Sequence, residues 1–178
     1  TTTTMDTGSS VGLEYRMNDE KTGYIVTGIG TCADNDIVIP TIYEELPVIG
    51  IASGAFKNCA RLTSMTIPGT VVSVGSAAFQ GCTGLIKVEN GISYVDKWAI
   101  GCDKTTTTAI LRNDTIGIAD YAFNGCAATT SVILNEGMRY IGSYAFRNCT
   151  ALLSVSVPSS LTYSDQFAFE GCQALERV

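Results

Sequence analysis

The 178-residue chain has no histidine. That removes the side chain most often used as a general base or metal ligand near neutral pH. Enzymes built on carboxylates, Lys, Tyr or Ser stay open. Charge is sparse too: Asp, Glu, Lys and Arg make up 16% of the residues, beside 18 glycines and many Ser and Thr. This mixture is poor for surface helices and good for strands joined by tight turns. Positive charge is the scarcer sign, with 11 Lys and Arg against 17 Asp and Glu, a net charge of −6. A nucleic-acid groove or an anionic membrane surface calls for the opposite balance. No apolar run approaches the roughly 20 residues of a membrane-spanning helix. The opening Thr1–Thr4 lacks the basic start and apolar stretch of a signal peptide. The expectation is that such a segment was removed, or that the chain is cut from a longer protein.

What is present is a phrase written repeatedly. "SGAFKNCARLTSMTIP" begins at Ser53, "SAAFQGCTGLIKVEN" at Ser76, "DYAFNGCAATTSVILN" at Asp120, "SYAFRNCTALLSVSVP" at Ser143 and "DQFAFEGCQALERV" at Asp165. Aligned on Phe56, Phe79, Ile100, Phe123, Phe146 and Phe169, successive copies lie 23, 21, 23, 23 and 23 residues apart. A fixed period in this range marks a repeat array whose neighbours bury one continuous core. Ala precedes each of these positions, at Ala55, Ala78, Ala99, Ala122, Ala145 and Ala168. Leu62, Leu85, Leu152 and Leu175 follow six residues later. Then come the alternating pairs Met65/Ile67, Val132/Leu134 and Val155/Val157, with the period of two that marks a strand. Pro68 and Pro158 end two of these strands, and Gly75 and Gly142 follow a second apolar pair. Each repeat is therefore predicted as a strand, a corner, a second short extended segment and a turn carrying Ala-Phe-x-x-Cys. That turn is too short for an independent helix.

At the N-terminus, Leu13–Tyr15 and Tyr24–Thr27 flank the polar "RMNDEKTG" and read as a β-hairpin that covers the open edge of the first coil. Residues 1–23 form the tail and first hairpin strand, and 24–178 the array. The first coil begins at Ile37, Ile39 and Pro40, and "YEELP" at Tyr43–Pro47 is predicted as a bulged loop. Val178 falls at the start of a strand position. An uncapped coil is costly, so the array is expected to continue past this residue.

The phrase A-F-x-x-C-x-x-L-x-x-[MV]-x-[IV]-P-x-x-[VI]-x-x-[IV]-G resembles the BspA-like leucine-rich repeat of bacterial and protist surface proteins. The resemblance covers residues 24–178 and departs most at "DKWAIGC", Asp96–Cys102, where Ile replaces Phe and Cys comes one residue early. It implies a mainly β leucine-rich-repeat solenoid, displayed on or secreted from a cell. It also implies an adhesive role toward host or extracellular-matrix proteins, or toward other surface proteins.

Six of the seven cysteines recur once per coil: Cys59, Cys82, Cys102, Cys126, Cys149 and Cys172. Cys32 falls within one residue of the same register. Stacked coils place equivalent Cβ atoms about 4.8 Å apart, while a disulfide wants roughly 3.8 Å. The reading is a structural ladder of buried thiols acting as small apolar residues. The close C-x-x-C pairs of zinc and redox sites are missing, and neither a metal nor a cofactor is expected.

Two columns are candidate binding residues. Trp98, Tyr121, Tyr144 and Phe167 stand two residues before the aligned Phe position. The solvent side of the main strand carries Ser64/Thr66, Lys87/Glu89, Thr108/Ile110, Ser131/Ile133 and Ser154/Ser156. A weaker third column holds Tyr94, Tyr140 and Tyr163. An aromatic column reads either as a structural ladder, each ring covering the next coil, or as an exposed stripe of the type enriched at binding hot spots. The strand face reads either as solvated β-surface or as the surface on which repeat arrays bind extended partners.

The leading function is a non-catalytic adhesion or protein-binding module without nucleic-acid binding or membrane insertion. The alternatives are a structural spacer presenting another domain, a carbohydrate-active solenoid using Asp96, Asp120 or Asp165, and a flat Ser/Thr array of the ice-binding kind. Only Ser64/Thr66 and Ser154/Ser156 form well-matched rungs for the last of these.

Overall fold

The structure, a computed structural model, describes residues 4–176. Every regular element among them is a short strand. The chain falls into two compact units, Thr1–Ile86 and Lys87–Val178.

The first unit holds β1 (Glu14–Met17), β2 (Tyr24–Gly28), β3 (Asp36–Val38), β4 (Ile42–Tyr43), β5 (Leu46–Ile51), β6 (Ser64–Thr66) and β7 (Ser73–Val74). β3 and β6 pair in parallel, with Ile37 opposite Met65. Both of these side chains are buried while their strand neighbours are exposed. This is what period-two alternation produces: one inward residue per three-residue strand. A second parallel column runs β2, β5, β7 and buries Ile51 beside Val74. β1 lies antiparallel on β2 with an irregularity at Glu14/Tyr15, so the predicted hairpin covers the outer side of this sheet.

The segment predicted as a bulged loop is instead a tight hairpin, β4 against β5, with Tyr43 opposite Leu46. Its two turn residues, Glu44 and Glu45, have φ of 47° and 69°. Positive φ at both central positions is the type I′ pattern whose twist suits a two-residue hairpin. Tyr15 stacks on Tyr43 at 3.9 Å, Tyr24 meets Tyr43 edge-on at 4.9 Å, and the Tyr24 hydroxyl donates to Glu44.

The second unit holds β8 (Lys87–Glu89), β9 (Ile92–Val95), β10 (Trp98–Cys102), β11 (Thr108–Ile110), β12 (Gly117–Ile118), β13 (Ser131–Ile133), β14 (Tyr140–Ile141), β15 (Ser154–Ser156) and β16 (Tyr163–Ser164). β11, β13 and β15 form one parallel sheet in strict register. β10, β12, β14 and β16 form a second parallel column. The irregular coil is an antiparallel meander: β8 folds onto β9 through Asn90-Gly91, and β9 onto β10. Asn90 and Gly91 both have positive φ, again the type I′ pattern.

The Ala-Phe-x-x-Cys segment forms successive turns rather than helix. Cys59 N donates to Phe56 O and Leu62 N to Cys59 O, each three residues back. The turns also bond coil to coil. Phe56 N donates to Ala78 O, Phe123 N to Ala145 O and Phe146 N to Ala168 O, at 2.7–2.8 Å. The rings stack beneath: Phe123 on Phe146 at 4.9 Å and Phe146 on Phe169 at 5.1 Å in one unit, Phe56 on Phe79 at 5.8 Å in the other.

Candidate functional site

Three aromatic side chains of the second unit line up on consecutive coils. Tyr121 stacks on Tyr144 at 5.0 Å, and Tyr144 on Phe167 at 5.5 Å with an interplanar angle of 11°. Tyr121 is 38% exposed and Phe167 45%. The Arg147 guanidinium lies 5.2 Å over the Tyr144 ring and its Nε is 3.6 Å from Glu170. Because the rings stack face to face along the coils, what they offer to solvent is their edges, with the phenol hydroxyls of two of them. The column is a stacked ladder whose outer rings, Tyr121 and Phe167, are exposed and whose middle ring, Tyr144, is half-buried.

The backbone beneath this stripe is unusual. Tyr121 and Tyr144 have φ of 60° and 55°, and the same column has Gly54 at 68° and Ala77 at 54° in the first unit. A left-handed conformation costs a bulky L-residue about 1–2 kcal/mol. The turn demands it. The N–H of Tyr121 points to Ser143 O and that of Gly54 to Ser76 O, tying each turn to the next coil. Glycine meets this demand without strain, yet two coils carry tyrosine there.

Trp98 does not belong to this column. It is 0% exposed, and its strand partner is Gly117, which in turn lies opposite Tyr140. A Cβ on Gly117 would sit 2.5 Å from the Trp98 ring, so the indole occupies the space that glycine leaves, and stacks on Tyr140 at 6.2 Å. The meander shifts the register by four positions, which places Trp98 with Tyr140 and Tyr163 and removes it from the candidate surface. Tyr94, on β9, is buried under the Arg112 guanidinium at 4.1 Å.

The strand-face column is likewise interrupted. Lys87 and Glu89 pair with β9 in the meander and lie in neither main-strand sheet. Two faces remain. On the first unit Ser64 and Thr66 are exposed beside Asp36, which accepts from Ser64 Oγ at 2.7 Å and Thr63 Oγ1 at 2.6 Å. On the second unit Thr108, Ser131 and Ser154 form one rung line and Ile110, Ile133 and Ser156 the next. Ile110 and Ile133 are exposed, so the face is part hydroxyl and part apolar. A notch beside Ile110 is lined by Glu89, Asn90, Arg112 and Asn113.

The model of the BspA type leucine rich repeat region matches residues 49–176 in six copies. The chain belongs to this family. Among solved structures it is similar to a leucine-rich repeat protein of T. pallidum, at 20% identity and TM-score 0.40, covering 93% of this chain and 78% of that one. It is also similar to a leucine-rich repeat protein of Bacteroides ovatus, at 24% identity and TM-score 0.42 over 93% of this chain and 45% of that one. For the pneumococcal vaccine antigen PcpA the figures are 20% and 0.42, over 64% of this chain and 26% of that protein. The chain therefore spans less than half of the last two. No curated protein matches the sequence.

In this BspA-type array three of the seven cysteines share a bonding pattern. The thiol of Cys82 donates to Phe56 O at 2.9 Å, that of Cys149 to Phe123 O at 3.2 Å and that of Cys172 to Phe146 O at 3.0 Å. Cys is thus both a small apolar filler and a weak donor, bonding a Phe carbonyl of the preceding coil. Cys59, Cys102 and Cys172 are half-buried, and all seven cysteines are free. Among the described residues no group of three or more His, Cys, Asp or Glu could hold a metal ion. No helix among them is long and apolar enough to cross a membrane.

Two of the three carboxylates raised as catalytic alternatives, those of Asp120 and Asp165, are engaged with the backbone. Asp120 Oδ1 accepts from Ser143 N at 2.8 Å, and Asp165 Oδ1 from Phe167 N at 2.8 Å. The Asp96 carbonyl accepts from Arg112 Nη2 at 2.5 Å, and Asp96 itself turns the β9–β10 hairpin at φ 50°.

Proposed function

We propose that this chain is a non-catalytic protein-binding module, presented on or secreted from a cell. It engages host or matrix proteins through the stripe Tyr121–Tyr144–Phe167 of its second unit. The observation that carries this reading is the combination of exposure and strain in one column. Tyr121 and Tyr144 sit on left-handed backbone that glycine would occupy more cheaply, and they are not buried in exchange. Strain of this kind collects at functional positions. Membership of a repeat family whose surfaces serve as extended contact platforms supports it. The second-unit strand face, with Thr108, Ser131, Ser154 and Ser156 beside exposed Ile110 and Ile133, is a second contact surface of the same module. The Ser64/Thr66 face of the first unit is a smaller one.

The test is capture of defined, immobilised matrix and host-surface proteins by the chain and by a Tyr121→Ala/Tyr144→Ala variant of matched thermal stability. Loss of capture in the variant supports the stripe. Equal capture eliminates it and leaves the strand face. Failure of the chain itself to capture any member of a broad panel favours the spacer reading.

A further inference from the structure

One end of the six-stranded sheet in the second unit is β8, which pairs only with β9. All three of its residues, Lys87, Val88 and Glu89, are exposed. Val88 stands at the repeat position that Met65, Ala109, Val132 and Val155 fill, and those four are buried. Val88 is 68% exposed instead, because the meander takes β8 out of the main-strand sheet. The repeat thus writes an apolar residue where there is no core to enter. β8 and β9 meet in a two-residue hairpin, with Glu89 opposite Ile92 and Lys87 opposite Tyr94. Residues flanking such a turn exchange both backbone bonds, and bonded pairs alternate with non-bonded ones along the strands. Glu89 and Lys87 therefore bond β9, and the N–H and C=O of Val88 point to the open side. These are the groups an added strand would use. Among the described residues neither Lys87 nor Glu89 has an ion-pair partner.

We propose that β8 is a homophilic docking edge, which pairs antiparallel with β8 of a second copy of this chain. The occupant follows from the order of the side chains. Antiparallel pairing about a two-fold axis at Val88 sets Lys87 opposite Glu89 of the second copy, and Glu89 opposite its Lys87. Val88 meets its own equivalent and exchanges two backbone hydrogen bonds with it. The charged pairs then fall in the non-hydrogen-bonded positions, where opposed side chains come closest. Lys-Val-Glu is its own complement in this register, and a two-fold contact requires that property. Parallel pairing in register would oppose like charges instead. β1 is the contrasting edge. Its Glu14 and Arg16 are also two residues apart and of opposite sign, but its pairing is irregular at Glu14/Tyr15. The Glu14 carboxylate also fills the space that a Cβ on Gly28 would need. An irregular edge with one charge turned onto its own sheet resists pairing. A three-residue edge makes a small interface, so the dimer is weak, with a Kd in the micromolar-to-millimolar range.

The test is sedimentation of the full chain across that concentration range, where a reversible dimer is expected. Lys87→Glu and Glu89→Lys are each expected to weaken it by about tenfold or more, because two like-charge pairs replace two opposite ones. An equimolar mixture of these two variants is expected to restore association, as is the exchanged variant Lys87→Glu/Glu89→Lys. Val88→Pro removes the outward N–H and spares the bonds to β9, so it is expected to abolish the dimer with the melting temperature kept. The Tyr121→Ala/Tyr144→Ala variant is expected to dimerise as the parent does, which separates this edge from the aromatic stripe. A parent that stays monomeric at every concentration overturns the proposal and leaves the edge to strands of other proteins. A dimer that survives both single charge reversals, that the mixture fails to restore, or that is lost with the stripe overturns it equally.

Discussion

Tyr144 carries two opposed effects in one residue. Its left-handed backbone costs about 1–2 kcal/mol, and its stacking between Tyr121 and Phe167 returns an amount of the same order, about 0.5–1.5 kcal/mol for each aromatic pair. Tyr144→Gly removes both, so its unfolding free energy in urea is expected to stay within about 1 kcal/mol of the parent. A large loss would mean that the ring is chiefly structural. Asp120 sets a second residue-scale expectation. Burial raises its carboxyl above the ordinary value, the Asp165 charge adds to this, and the Ser143 amide opposes it. A raised folded-state value means that the folded form holds the proton more tightly. Stability is therefore fully present below the unfolded value near 4 and falls as pH rises through the folded one. Asp36 and Asp103 work in the opposite sense. Hydrogen bonds from Thr63 and Ser64, and from the Thr105 amide and hydroxyl, lower them, and their contribution is lost only as pH falls through still more acidic values. Asp120→Asn is expected to flatten the melting-temperature profile above pH 4 and leave the more acidic limb unchanged. An unchanged slope above pH 4 would contradict the assignment.

The short hairpins decide how the repeats depart from regularity. The β4–β5 turn uses Glu44 and Glu45 where Asn-Gly is the unstrained choice. Glu45 is exposed, so Glu45→Gly is expected to raise stability by about 0.5–1 kcal/mol, relief of left-handed strain exceeding the added backbone entropy. A lowered melting temperature would refute the turn assignment. In the meander coil, Gly117→Ala drives a Cβ into the Trp98 ring. The expected loss is about 1–3 kcal/mol by chemical denaturation, against a few tenths for Gly→Ala at the open Gly69. The period of the repeat, the inward strand residues and the N-terminal hairpin were all legible in the letters, because each coil must match its neighbour. The register of Trp98 was not. Aligning Ile100 with the Phe column places Trp98 beside Tyr121, but the β8–β9–β10 meander reroutes the chain and puts Trp98 opposite Gly117. The signal for that meander was the Asn90-Gly91 dipeptide, a type I′ hairpin marker. The left-handed column before Cys was also readable, as Asn58, Gly81, Gly125, Asn148 and Gly171 all have positive φ. Tyrosine at φ near 60° was not readable, because nothing in its own propensity asks for it.

At the scale of the chain, each compact unit consists of coils that bury inward Phe, Leu and Val and leave the outer faces to vary. The sequence is strict at the rungs and free between them, so a function carried by the array belongs to the residues between rungs. Its contacts are spread along successive coils rather than gathered in a pocket, and the stripe offers three of them about 5 Å apart. The most direct test is a binding titration of a captured partner against the parent and a Tyr121→Gly/Tyr144→Gly variant, which keeps a backbone that suits the turn and deletes only the rings. The expected result is a rise in Kd of about thirtyfold or more, as for loss of a hot spot worth about 2 kcal/mol, with the melting curve preserved. An unchanged Kd with both rings gone would contradict it.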